Sequence, residues 1–128
     1  MKPLTREWIE KAEGDYYSAL RDLRARKYPN YDAACFHAQQ CVEKYFKARL
    51  VDAGLSFPKT HDLAHLLELL EPIEPFWMVH IEQVRSLTDY SVEFPYPGES
   101  ADKETARKAV RLCEQIRGIV RQRLGLKE

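Results

Sequence analysis

The sequence predicts an all-α protein, an up-and-down bundle of four to five helices that forms a single domain over residues 1–128. Apolar residues recur at spacings of three and four along most of the chain, and no convincing run alternates as a β-strand would. Prolines and glycines divide these periodic segments at short intervals, so the connections are short. Short connections favour antiparallel neighbours, which is the basis for the up-and-down prediction.

The first two predicted helices are both long, and a break at residues 28–30 separates them. The first is predicted to start after Thr5, as an N-cap, and to run to about Arg26, where Tyr28-Pro29-Asn30 breaks it. The second is predicted from Tyr31 to Ala53, with Gly54 ending it. Unlike the first, which has one apolar stripe, the second is apolar nearly all round. A helix of that kind belongs at the centre of a bundle or in an oligomer interface.

Three further helices complete the prediction. A short one begins near Thr60 and stops at Pro72, and a fourth runs from about Pro75 to about Val92. Residues 94–98 contain two prolines and read as a loop. The last helix starts at Ser100 or Asp102 and ends near residue 124 or 125. Its predicted inner stripe consists of Ala106, Ala109, Val110, Cys113, Ile116 and Val120.

Composition excludes several classes of protein. No apolar run approaches the ~20 residues that a membrane span needs, and the N-terminus lacks the apolar stretch of a signal peptide, so we expect a cytoplasmic protein with no membrane contact. The three cysteines form no C-x-x-C pair, and we expect free, buried thiols. The formal net charge of zero argues against broad binding of nucleic acid.

The charges are unevenly distributed. Residues 51–100 contain two basic and nine acidic residues, whereas residues 101–128 contain eight basic and four acidic residues. Solvated helix faces explain this pattern most simply, and pairing between protomers or with a partner is the alternative. The basic residues of the last helix are interpreted in the same way, as a solvated face, with phosphate contact as the alternative: Arg107, Arg111, Arg117 and Arg121.

The second helix has a polar stripe within its apolar surround. The stripe is formed by His37, Gln40, Lys44 and Lys47, at spacings of three, four and three that keep them on one side of a helix. Glu43 can pair with Lys47 at i, i+4, and Asp15 of the first helix is a plausible partner. Because burial of such groups is costly without partners, two interpretations remain. The stripe is either a satisfied polar seam or the lining of a pocket for an anionic ligand.

Other chemical motifs are weak or missing. His61 and His65 stand at i, i+4, but no third ligand lies at a sensible spacing, so capping and packing explain them better than a metal. There is no nucleophile elbow, phosphate-binding loop or dinucleotide fingerprint. We therefore predict no metal, no cofactor and no catalytic residues.

Several segments together resemble the HEPN domain family of prokaryotes. They are Trp8…Ala12-x-x-Asp15, the segment HAQQCVEKYFKA at residues 37–48, His61-Asp62-Leu63 and Tyr96-Pro97. The resemblance implies a dimerising bundle of four or five helices. It also implies a gene-level partnership with minimal nucleotidyltransferases, often as a toxin and antitoxin pair. Similar domains are thought to bind nucleotides, and others cleave RNA without a metal.

The chain departs from the ribonuclease members at their motif. Those members carry an Arg followed four to six residues later by a His, but no His follows any Arg at that distance here. Arg85 lies in the expected region, and Ser-Leu-Thr-Asp-Tyr-Ser follows it. The general acid/base for such cleavage is therefore missing from its expected place, which favours a protein that is not an enzyme.

The resulting prediction is a non-catalytic HEPN protein that forms a homodimer, binds a nucleotide and acts with a separate minimal nucleotidyltransferase. The predicted nucleotide site is His37, Gln40, Lys44 and Lys47, with His61 and Tyr96 as neighbours. Lysines would neutralise phosphate, while the histidine and the amide would orient it. The alternatives are a divergent metal-independent ribonuclease toxin that uses His37 or His61, and an interaction module without a ligand. RNA is not the favoured ligand.

Overall fold

The computed structural model describes residues 1–92 and 97–127, and these form five α-helices, one 3₁₀ helix and no strand. The helices are α1 (Pro3–Arg24), α2 (Tyr31–Asp52), α3 (Leu63–Leu70), α4 (Ile81–Thr88) and α5 (Lys103–Arg123), with the 3₁₀ helix at Pro75–His80 before α4. The all-α class predicted from the sequence is confirmed. No helix in the described ranges combines the length and the apolar character needed to cross a membrane.

Helix α2 is the centre of the bundle, as its apolar circumference predicts. It packs against α1, α3, α4 and α5. Small side chains let the neighbouring helices approach closely, while Tyr45, Phe46 and Leu50 fill the larger spaces and are fully buried. The inner stripe of α5 predicted from the sequence is buried along its whole length.

Pairs of contacts fix the directions of the long helices. Lys2 Nζ donates to the Val51 carbonyl, and Asp15 pairs with Lys44, so α1 and α2 are antiparallel. Asp32 bonds to the Ala101 amide beside α5, whereas Tyr45 bonds to Arg121 near the other end of α5. Helices α2 and α5 therefore run in the same direction, and the α3–α4 region returns the chain between them.

Thr5 does not cap α1, so that expectation is wrong. The helix begins at Pro3, whose missing N–H and fixed φ suit the first turn. Thr5 is instead fully buried inside the first turn, and its hydroxyl has no hydrogen-bond partner in the described residues. Helix α1 also ends at Arg24, two residues earlier than expected.

The third and fourth helices are shorter than predicted. Asp62 caps α3 by accepting from the His65 amide at 3.2 Å, so α3 begins at Leu63 rather than near Thr60. The fourth segment divides into the 3₁₀ helix and α4. Helix α4 ends at Thr88, whose hydroxyl accepts from the Leu63 amide and donates to the Val84 carbonyl, each at 3.1 Å.

The predicted loop at residues 94–98 falls mostly outside the described residues. Tyr96, one of the predicted site residues, is among those the structure does not describe. Gly98 follows in a turn with a φ of +92°, a conformation that favours glycine. Helix α5 then starts after Asp102, which accepts from the Thr105 amide at 2.7 Å.

Candidate functional site

The polar stripe of α2 divides into two clusters, each built around one carboxylate. Asp15 of α1 is the centre of the first cluster, and Glu43 of α2 is the centre of the second. The long antiparallel contact between α1 and α2 places Asp15 opposite the middle of α2. This confirms that Asp15 is a partner of the stripe, as its position beside the apolar face of α1 suggested.

Asp15 holds a histidine and a lysine together. One carboxylate oxygen lies 2.8 Å from His37 Nδ1, and the other accepts from Lys44 Nζ. Asp15 is buried, while the side chains of His37 and Lys44 keep 22% and 20% of their surface exposed. The side chains of His37 and Lys44 therefore lie at the edge of the bundle, and the carboxylate of Asp15 that pairs with both lies deeper.

Glu43 holds three donors from a more deeply buried position. Its Oε1 lies 2.7 Å from His61 Nδ1 and accepts from Gln39 Nε2 at 3.3 Å, while Oε2 accepts from Lys47 Nζ at 3.0 Å. Gln39 also donates to the His61 carbonyl at 3.1 Å and accepts from Gln40 Nε2 at 2.7 Å. Through these bonds from His61 to Glu43 and Gln39, the segment before α3 is attached to α2.

Lys47 lies in the interior of the bundle. Only 8% of its side chain is exposed, and its ammonium lies 5.4 Å from the centroid of the Trp8 ring and 5.9 Å from that of Phe57. A carboxylate and two aromatic faces thus replace the water that the ammonium loses on burial. Because so little of its side chain is exposed, Lys47 is poorly placed to contact a phosphate from solvent.

Five of the six predicted site residues lie in the described part of the chain, and the structure brings them onto one side of α2. His37 and Lys44 belong to the Asp15 cluster, whereas Gln40, Lys47 and His61 belong to the Glu43 cluster. Each of the five has a partner within the chain. His61 is the most accessible, with 65% of its side chain exposed beside a Glu43 that is 4% exposed.

A third polar cluster, which the sequence did not reveal, joins α1, α2 and α5. Glu13 accepts from Tyr45 Oη at 2.6 Å and from two nitrogens of Arg117 at 2.7 Å each. Burial raises the pKa of Glu13, but the hydrogen bonds from Arg117 and Tyr45 outweigh it and leave the pKa below its usual value of 4.5. The guanidinium of Arg117 also lies over the Tyr16 ring, 4.6 Å from its centroid.

These contacts revise the interpretation of the basic face of α5. Arg117 is paired with Glu13, and Arg121 contacts both Glu13 and Tyr45, so neither belongs to a solvated face. Arg107 and Arg111 are exposed, as predicted. A signal for Arg117 exists in the sequence, because it follows Cys113 of the buried stripe by four residues and so lies on the same side of the helix.

A fourth cluster anchors the segment before the 3₁₀ helix. Oε1 of the buried Glu74 accepts from Arg49 Nη2 at 3.0 Å and from Arg123 Nε at 2.6 Å. These bonds connect that segment to α2 and α5. All three cysteines are free and buried, and burial raises the pKa of Cys35 to about 12, so thiol chemistry does not contribute to these sites at neutral pH.

Metal-binding arrangements are not found in the described ranges: no three His, Cys, Asp or Glu side chains there come together in a way that could hold an ion. His61 and His65 illustrate the reason. His61 engages Glu43, while His65 lies in the first turn of α3, where its amide bonds to Asp62.

Comparison with known proteins supports the resemblance seen in the sequence. The HEPN domain family matches residues 5–123, which include all of α2 to α5 and α1 from its third residue. A protein of Methanocaldococcus jannaschii, named "Putative toxin MJ1304", is 26% identical in an alignment that covers 94% of this chain and 91% of that protein. No solved structure matches the chain.

Proposed function

The chain belongs to the HEPN domain family, and from this premise we propose that it is a non-catalytic member of a toxin–antitoxin-like pair. It forms a homodimer, binds a nucleotide and acts beside a separate minimal nucleotidyltransferase that supplies the metal-dependent chemistry. One observation carries this proposal: the family match extends over nearly the whole chain. The toxin-named relative supports it, because it aligns over nearly all of both proteins.

The Asp15 cluster is the part of the stripe best suited to meet a phosphate. Lys44 and His37 both keep an exposed edge, and the buried carboxylate behind them fixes their positions. A phosphate would approach from the exposed side and share the Lys44 ammonium with Asp15, while His37 and Gln40 orient it by hydrogen bonds. The ligand must compete with a carboxylate already in place, so we expect moderate affinity.

The test compares two lysines by titration of ATP, GTP and AMP. Lys44→Ala should abolish the shifts that these nucleotides cause in the backbone amide signals of Gln40 and residue 44, while the far-ultraviolet circular dichroism stays unchanged. Lys11→Ala is the matched control, because Lys11 is exposed on α1 and belongs to none of these clusters. Loss of binding accompanied by unfolding of the Lys44 variant would instead support a purely structural seam.

A second outcome concerns the wild-type protein alone. A ligand that binds only the folded state raises the melting temperature. Saturating nucleotide without any thermal shift would favour an interaction module whose polar stripe has no ligand.

A metal-independent ribonuclease is the second candidate, and one observation favours it. Two carboxylate–histidine pairs are present, Asp15 with His37 and Glu43 with His61, and a carboxylate on Nδ1 is the arrangement that orients an imidazole as general base. The exposed His61 is the better placed of the two. Against it stands the missing Arg-x4-6-His motif.

RNA cleavage separates the two candidates. If the protein is a ribonuclease, the purified protein should degrade single-stranded RNA in the presence of a chelator. The His61→Ala substitution should abolish this cleavage. His65→Ala is the control, since His65 is exposed and outside both pairs. Intact RNA with a correctly folded protein would remove this candidate.

A further inference from the structure

A groove lies between α4 and α5, away from the polar stripe of α2. Its volume is about 540 Å³, within the range of small-molecule sites. Helix α4 and the two residues after Thr88 form one wall, and the first four turns of α5 form the other. None of the five described residues of the predicted nucleotide site lines it, whereas Arg111, for which phosphate contact was the alternative interpretation, does.

The floor of the groove is apolar. Leu87 of α4 and Ala109 and Leu112 of α5 are buried and line the groove. Tyr90 also lines the groove, and its aromatic ring adds to the apolar surface. A flat ring or a similarly sized apolar body could rest on this floor.

The rim of the groove is polar, with a surplus of positive charge. Lys108 and Arg111 line the α5 side, whereas Asp89 is the one carboxylate among the lining residues that the structure describes. Hydroxyl and amide groups complete the rim: Gln83, Ser86, Thr105 and Gln115. They offer donors and acceptors around the apolar floor, which is the general composition of a ligand site.

The two rim cations differ from most cations that pack against the bundle. Lys44, Lys47, Arg49, Arg117 and Arg123 are each paired with a carboxylate. Lys108 and Arg111 have no ion-pair partner within residues 1–92 and 97–127. Since they stand three residues apart on one helix, both can contact a single anionic group.

We propose that the α4–α5 groove binds a small organic anion in which a phosphate is joined to an aromatic ring. Lys108 and Arg111 hold the phosphate, Arg111 through two N–H donors, and the ring lies on Leu87, Ala109 and Leu112 beside Tyr90. A nucleoside phosphate belongs to this class, but the groove requires only the aryl phosphate. The proposal is therefore independent of nucleotide binding at the α2 stripe.

The probes are phenyl phosphate and AMP, titrated into ¹⁵N-labelled full-length protein. Both should shift the backbone amide signals of Ser86, Tyr90 and Lys108, and inorganic phosphate or phenol alone should shift them less. Arg111→Ala should weaken the binding of phenyl phosphate by about tenfold or more, as expected for loss of a charged hydrogen bond. Arg107→Ala, an exposed arginine of the same helix outside the groove, should leave it unchanged.

A second variant tests the cavity rather than the charge. Ser86→Phe places a ring in the groove from an exposed position on its wall and should block phenyl phosphate without unfolding the protein. Binding that survives both Arg111→Ala and Ser86→Phe would overturn the proposal. A groove covered by a second copy of the chain would also overturn it, and would appear as no binding together with a Ser86→Phe protein that becomes monomeric.

The two proposals fail in different ways. Loss of AMP binding in Lys44→Ala but not in Arg111→Ala, with no phenyl phosphate response, would support the stripe and overturn the groove. Phenyl phosphate that binds in an Arg111-dependent manner, with no AMP response at Gln40 or Lys44, would support the groove and remove the stripe as a nucleotide site.

Discussion

Replacing Glu43 with glutamine tests whether the charge at the centre of the second cluster stabilises the folded protein. The substitution keeps the shape of the side chain but removes the charge that faces Lys47 at 3.0 Å and His61 at 2.7 Å. Lys47 is 8% exposed, so its ammonium would remain buried without a counter-ion. Breaking a buried pair from one side costs about 3–5 kcal/mol, and the aromatic faces of Trp8 and Phe57 compensate in part.

We therefore expect a loss of about 3 kcal/mol in the free energy of unfolding. For 128 residues the unfolding entropy is about 0.27 kcal/mol/K, so the melting temperature should fall by about 11 °C. The assay is urea unfolding followed by tryptophan fluorescence, with a thermal scan beside it. Glu82→Gln is the control, because Glu82 is 80% exposed and its pair with Arg85 should contribute at most about 1 kcal/mol.

A double variant distinguishes loss of the pair from loss of the buried charge. Adding Lys47→Met to Glu43→Gln removes the unpaired ammonium and replaces it with an apolar side chain of similar length. The double variant should recover at least about 1 kcal/mol relative to Glu43→Gln. If Glu43→Gln is no more harmful than Glu82→Gln, the account of a charge-dependent seam is refuted.

Three further predictions concern other parts of the bundle. Glu13 has a lowered pKa in the folded protein, so its stabilising contribution is complete above the unfolded value of 4.5 and is lost as the pH falls through the folded pKa. The difference in melting temperature between the wild type and Glu13→Gln should accordingly be constant near neutral pH and shrink below about pH 4.5; a difference that grows on acidification would contradict the assigned pairing. The three buried thiols should resist a thiol reagent at pH 8 in the native protein and all react after denaturation, and one thiol that reacts quickly in the native state would show an opening that the structure lacks. Asn30 caps α2 by accepting from the Ala33 amide at 3.0 Å, so Asn30→Ala should lower the free energy of unfolding by about 1 kcal/mol and Asn30→Ser should restore most of it. Equal stability of the alanine and serine variants in urea would argue against that cap.

Features that depend on local spacing were predictable from the sequence. The central position of α2 and the inner stripe of α5 follow from apolar residues at helical spacing, since each apolar face had to meet another element. The pairing of Asp15 with the stripe was also predicted, because a carboxylate beside an apolar face needs a partner once it is buried.

Features that depend on distant contacts were not predictable. The pairing of Glu13 with Arg117 joins residues 104 positions apart, and nothing in the spacing of either helix selects that partner. The early end of α4 coincides with Thr88 accepting from the Leu63 amide, a contact between two segments whose relative placement the sequence does not specify. Thr5 was misassigned because a threonine suits a cap by type, whereas Pro3 suits the first helical position better.

The α4–α5 groove could not be predicted from the sequence for a different reason. Its rim residues are exposed and polar, so in the sequence they resemble an ordinary solvated face. Only the packing of α4 against α5 reveals that an apolar floor lies between them.

The central claim is that the protein acts as one subunit of a pair with a minimal nucleotidyltransferase. The most direct measurement is native mass spectrometry of the tagged protein purified gently from its own host, followed by identification of every component. Our account predicts a dimer of this chain associated with a small nucleotidyltransferase, in a complex that persists when the purified subunits are mixed again. Recovery of the protein alone, with no complex formed when the neighbouring gene's product is added, would contradict it.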